Sequence, residues 1–267
     1  MISPTEAANR VLDELGINDR DDLKRLEEIA WTRGAVVRRA AMNGAEGRIA
    51  MAGQIAVITI PAESDPLRQR FGIAHELGHL ELHRNQSALS MCLGDDMLAW
   101  GDRESAKGRE QEANEFAASL LLPERFFAPA CSELRPSLDM VSGLAEGFET
   151  SLTSTALRYM DFCAEPAAVV YSSKGVIRWL RRSYDFKDLG YFVEPRTKLH
   201  PQTRAASFFK DGTASRIQGP VLAESWLTSG RFRSNATLLE QSWPMPSQSA
   251  VLTLLWVNQD IEDGGDW

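Results

Sequence analysis

Side chains four residues apart lie on one face of an α-helix. Two histidines at that spacing with a glutamate beside the first therefore commit a helix to more than packing. The stretch FGIAHELGHLELHR, residues 71–84, does this with His75, Glu76 and His79. With His75 at zero on the helical wheel, His79 falls at about 40° and Glu76 at about 100°. Ile73, Leu77 and Leu80 fall between about 140° and 200°, so an apolar face enters a core while the opposite face carries two imidazoles and a carboxylate. This is the H-E-x-x-H arrangement: two zinc ligands one turn apart, with a glutamate beside the metal as general base. The chain has only four His in 267 residues, and chance assembles the pattern in roughly one such chain in a few hundred. A glycine inside a helix costs about 1 kcal/mol relative to alanine, so Gly78 points to close approach of another element at that face.

A hydrolytic zinc takes three protein ligands and keeps a fourth position open. His83, one turn further, lies at about 80°, but three ligands along one straight helix cannot wrap a tetrahedral ion. It is read as a helix-end residue or a support for a ligand. His200 has no motif around it. The better source is EQEANEFAASLLLP, residues 110–123, where Ala113, Phe116, Ala117, Leu120 and Leu121 repeat at helical spacing and Pro123 marks the end. Glu110 lies about 60° from the centre of that stripe and Glu112 about 100° away on the other side. Glu110 is thus the expected third ligand and Glu112 the reserve. Asn114 shares a face with Glu110 and can hold a ligating imidazole by its outer ring nitrogen.

IAHELGHLELH followed about thirty residues later by EQEANEFAASLLLP resembles the ImmA/IrrE family of bacterial zinc metallopeptidases. That family pairs HExxH with an ExxA(N/D)xFA helix ending in a Leu-rich stretch and Pro. His75, Glu76, His79, Glu110, Ala113, Asn114, Phe116 and Ala117 match, and Leu122-Pro123 closes the pattern. The resemblance is specific over residues 50–125 and weaker across FETSLTSTALRYMDFC and AAVVYSSKGVIRWLRRS. It implies a zincin-like domain holding Zn2+, and an endopeptidase that cleaves a DNA-binding helix-turn-helix repressor to switch on stress or mobile-element genes. Many relatives carry an N-terminal repressor-like domain; this chain is expected to begin too close to the peptidase to hold one.

Net charge is −8, which argues against a broad nucleic-acid footprint and so against direct nucleic-acid binding. No apolar run reaches membrane-spanning length. The opening MISPTEAANRVLDELG reads as an acidic amphipathic helix, not a signal peptide. Cys92, Cys131 and Cys163 are odd in number and widely spaced, as reduced thiols of a cytoplasmic protein would be. Cys92 as an inhibitory thiolate on the metal is disfavoured, having no cationic neighbours.

The expected architecture is α+β in three parts. Residues 1–130 form a metallopeptidase domain: helices over 3–16 and 21–33, three short strands in AVVRRAAM, EGRIAMAG and QIAVITIP with a turn at Asn43-Gly44, then the two metal-bearing helices. An edge strand there could pair with an extended substrate. Residues 85–103 read as a long connection of the kind that forms lids or binding loops. Residues 131–165 form a helix-turn-helix-like hairpin over 137–147 and 151–163. Its second helix offers only Arg158, amid the five acids of residues 131–163, so it is read as packing rather than DNA reading. Residues 166–267 form a mixed α/β sensor or docking module, with a short helix from His200-Pro201 to Phe209. Its aromatics Trp179, Tyr184, Tyr191, Trp226, Trp243 and Trp256 are read as core.

The expected function is zinc-dependent peptide hydrolysis, with Glu76 taking a proton from water and returning it to the leaving nitrogen. Tyr159, Tyr171, Tyr184, Tyr191 and His200 are open as oxyanion donors. The competing class is a regulator, metal-stabilised or metal-free, that sequesters a repressor or antitoxin without cutting it. Glu76 separates the two, because a structural zinc site does not require an acid beside an open ligand position.

Overall fold

The computed structural model describes residues 2–42, 45–83, 89–93, 108–131, 135–213, 215–230, 232 and 235–257. The chain forms two compact units, one of residues 1–130 with 144–154, the other of 131–143 with 155–267. The helical segment expected as a linker over 131–165 is therefore divided between them. Its helices run over Leu138–Phe148 and Leu152–Phe162.

The first unit opens with α1 (Pro4–Glu14), started by a capping box: Ser3 Oγ accepts from the Glu6 amide, and Glu6 accepts from the Ser3 amide. The stretch expected as one helix over 21–33 is two elements, a 3-10 turn (Arg20–Lys24) and α2 (Leu26–Thr32). Four strands follow the order β1-β3-β2-β4, with β1 Ala35–Ala40, β2 Ala45–Ala52, β3 Ile55–Pro61 and β4 Leu89–Leu93. β2 and β3 form a hairpin whose two-residue turn uses Gly53 at φ 66°. β1 does not pair with β2; it runs parallel to β3, Ala35 opposite Ala56. The Asn43-Gly44 turn lies outside the described residues. Within the expected connection 85–103, β4 extends the sheet as an edge strand beside β2.

Two helices give this unit its centre. α3 (Pro66–His83) lies on β2 and β3, and α4 (Arg109–Leu121) packs along α3 with α1 on it. Ala56, Ile58 and Ile60, alternate residues of β3, are buried together with Ile73, Leu77 and Leu80 of α3. The opposite face of α3 is not left to solvent either, as Gly72 through Leu80 are all buried. A helix buried all round sits between two layers. Gly78 makes this arrangement fit: a Cβ there would meet the Ala113 backbone at 3.1 Å and Phe116 at 3.1 Å. Arg33 ties the layers at one end, with a two-pronged pair to Glu81 (2.8 and 2.9 Å) and a bond to Glu14 (2.6 Å). Half-buried Arg70 donates to the carbonyls of Leu23, Lys24 and Glu149.

The second unit is a five-stranded antiparallel sheet in the order β6-β5-β9-β8-β7: β5 Ala167–Ser173, β6 Val176–Arg182, β7 Gly219–Leu222, β8 Thr237–Met245 and β9 Ala250–Trp256. Its core joins Val170, Val251 and Leu255 to Phe186, Tyr191 and Trp226. The helix expected from His200 to Phe209 runs instead over Arg204–Asp211, capped by Thr203, because Pro201 falls in the turn before it. Of the aromatics expected in the core, Tyr191 and Trp226 are there; Trp179 stacks on Tyr171, Trp243 carries the Arg216 guanidinium, and Tyr184 is exposed on a short helix. Cys131 and Cys163 are buried free thiols, and burial pushes Cys131 up to about 12 and raises Cys163. Among the described residues no helix is long and apolar enough to cross a membrane.

Two outcomes follow. Gly78→Val is expected to lower the unfolding free energy by about 1–3 kcal/mol, read by urea titration, because the clash is with backbone that cannot swing aside. Cys131 and Cys163 are expected to resist alkylation at pH 8 in the native protein and to react on unfolding, read by mass spectrometry.

Candidate metal centre

One turn of α3 presents His75 and His79, and the first turn of α4 presents Glu110. A helix N-terminus favours a carboxylate electrostatically. His75 Nε2 and His79 Nε2 lie 3.2 Å apart; Glu110 places Oε2 3.2 Å from the first and Oε1 3.4 Å from the second. A tetrahedral ion with bonds of about 2.0–2.1 Å has ligand-to-ligand edges of about 3.3 Å, so the three groups are spaced to share one ion. Among the described residues they are the group of metal-competent side chains so arranged.

The protonation pattern points the same way. His75 Nδ1 lies 2.9 Å from the Asn114 side-chain oxygen. That oxygen only accepts, so His75 carries its proton on Nδ1 and turns a lone pair, through Nε2, toward His79 and Glu110. An anionic carboxylate and a ring-nitrogen lone pair converging in a site where His75 is 0% and His79 6% exposed call for a cation between them.

Glu76 is fully buried and is not one of the three. It turns toward the sheet, where a Cβ on Gly47 of β2 would lie 2.6 Å from its Oε1. Gly47 has no positive φ, so the need there is for space rather than backbone freedom. A glycine inside a strand is the sequence signal for this contact. Glu112 turns away from the imidazole pair and meets His83 Nε2 at 2.7 Å, while His83 Nδ1 lies 3.2 Å from His79 Nδ1. The five side chains considered as oxyanion donors all belong to the second unit. There Tyr159 and Tyr191 are buried in the core, and His200 is exposed. The Cys92 side chain lies outside the described residues.

Two histidines from one helix closed by a carboxylate from the next, with a buried glutamate alongside, is the metal-centre design of the HExxH metallopeptidases. Within that class, residues 32–160 match the IrrE N-terminal-like domain, Peptidase_M78. This segment, just under half of the chain, is what the chain shares with the ImmA/IrrE family. It is 30% identical over 122 residues to the radiation response metalloprotease IrrE of Deinococcus radiodurans. That stretch covers 43% of this chain and 34% of the relative, so the chain spans about a third of that protein's length. A transcriptional regulator of Mycobacterium tuberculosis shares the fold at a TM-score of 0.58 and 16% identity, covering 99% of this chain and 92% of that one.

The Gly47 contact can be measured. Gly47→Ala is expected to destabilise the protein by about 1–3 kcal/mol, and Glu76→Ala in the same chain to recover most of that loss. Urea titration of the two single variants and the double reads the coupling; additive losses would place the clash elsewhere.

Proposed function

We propose that this protein is a zinc-dependent endopeptidase in which His75, His79 and Glu110 hold the metal and Glu76 is the general base. The observation that carries the reading is the convergence of two ring nitrogens and a carboxylate at tetrahedral spacing, with Glu76 adjacent in sequence to one of the ligands. A zinc ion bound there supplies Lewis-acid chemistry, activating water near neutral pH and stabilising negative charge that develops on a peptide carbonyl. Glu76 takes the proton of the attacking water as its oxygen bonds to the carbonyl carbon. It then delivers that proton to the amide nitrogen as the carbon–nitrogen bond breaks. Burial of Glu76 excludes bulk water from that transfer. Asn114 holds His75 in the protonation state and orientation that ligation needs.

The substrate proposed is a helix-turn-helix transcriptional repressor, cleaved at a specific site in a stress-response or mobile-element switch in the cytoplasm. The match of residues 32–160 to the family model supports this, as do the acidic balance, which disfavours direct DNA binding, and the free, buried thiols of Cys131 and Cys163. The second unit is proposed to dock the substrate or sense the signal.

The test is elemental analysis followed by incubation with a repressor encoded beside the gene. One equivalent of zinc is expected, and His79→Ala should abolish its uptake. Glu76→Gln should keep the metal and the fold while lowering the cleavage rate by about 10²–10⁴-fold. A zinc-reconstituted protein that retains no metal would sink the proposal. Loss of metal in Glu76→Gln would make Glu76 a ligand instead of a base.

A further inference from the structure

His83 and Glu112 stand just outside the three metal-competent groups. His83 ends α3 one turn beyond His79, with a side chain only 7% exposed, and Glu112 lies in the first turn of α4, 42% exposed. Glu112 Oε2 lies 2.7 Å from His83 Nε2, and His83 Nδ1 lies 3.2 Å from His79 Nδ1. An ionised carboxylate only accepts hydrogen bonds, so the short contact places the His83 proton on Nε2. A neutral imidazole carries a single ring proton, and His83 Nδ1 is then an acceptor facing His79. His79 must donate from its own Nδ1, which leaves its Nε2 as a lone pair aimed at His75 Nε2 and Glu110.

We infer that Glu112 and His83 form a relay of hydrogen-bond polarity that sets the tautomer and ring orientation of His79, making them positioning residues for the metal and not ligands to it. The inference rests on the reading of His75, His79 and Glu110 as the metal site. The relay has a direction. With a donor at position 112, His83 would carry its proton on Nδ1. His79 would then be driven to carry its own on Nε2, where the metal must bind. Asn114 gives His75 the same state in one step; His79 reaches it in two, because Glu112 sits a turn-edge away from Glu110 and meets α3 at its end. This also accounts for a polar side chain as large as histidine buried at the end of α3.

The test measures zinc affinity of the full-length protein by competition with a chelator, and reads the His79 tautomer by long-range proton–nitrogen NMR of the metal-free, nitrogen-15-labelled protein. Glu112→Ala and His83→Ala are each expected to weaken zinc binding by about 10- to 100-fold. Glu112→Gln keeps an acceptor of the same reach without the charge, and is expected to lie closer to wild type than to Glu112→Ala. In the His83→Ala background, Glu112→Ala should cost no further affinity, because the carboxylate acts through His83. The NMR should show the His79 proton on Nδ1. Equal affinity for wild type and Glu112→Ala, additive losses in the double variant, or a Gln variant as weak as Ala would overturn the relay; the last two would make Glu112 a through-space charge. If His83→Ala does not fold by circular dichroism, the Ala and Gln variants at the more exposed position 112 carry the test. A wild type that takes up no zinc refutes the metal reading itself. A wild type that binds tightly alongside unaffected variants refutes only the relay.

Discussion

The close approach of α3 and α4 at Gly78 is the contact on which the cluster of His75, His79 and Glu110 depends. The two helices meet with the Ala113 backbone and the Phe116 ring against a residue that has no side chain. A larger residue there would hold the helices apart by roughly the depth of a methyl group or more. Glu110, on one helix, would then no longer reach the two imidazoles on the other at 3.2 and 3.4 Å. The helical cost of Gly78 is offset by burial of both helices and by the site they enclose between them.

That packing places polar groups where water cannot serve them, and the local structure answers with partners. Asn114 supports His75, and His83 with Glu112 supports His79. Arg33 neutralises Glu81 at the end of α3, and Arg70 satisfies three backbone carbonyls beside its start. These bonds do little for net stability relative to an apolar core, but each fixes a rotation of α3 about its own axis. A rotation error of one residue, about 100°, would turn His75 away from Glu110.

The second unit handles buried polarity in a different way. Glu240, fully buried on β8, accepts from the amides of Arg204 and Ala205, from the Trp226 indole and from Ser242. A carboxylate at the start of the Arg204–Asp211 helix satisfies orphan amides and complements the helix dipole. The next residue, Gln241, points to the other face of the sheet and binds Leu138 and Asp139 at the start of the 138–148 helix. Adjacent side chains thus pin helical segments on the two faces of one sheet.

Much of the first unit was legible in the chain, for local reasons. The His75–His79 spacing, the stripe through Phe116 and Leu120, the opening helix and the short strands in EGRIAMAG and QIAVITIP are each set by neighbours within a turn or two. Periodicity reports such neighbours well. Gly78 announced a close approach without naming the partner. What periodicity cannot carry is pairing across distance. The parallel match of β1 to β3, the short β4 at the sheet edge, the division of the 138–148 helix between two units and the contact of Gly47 with Glu76 depend on long-range packing. The wheel set Glu110 nearer the apolar stripe than Glu112, because angle along one helix is a local quantity. That Glu112 turns instead to His83, and that the face opposite the apolar stripe of α3 is buried, was decided only when the sheet and α4 closed on that helix from two sides.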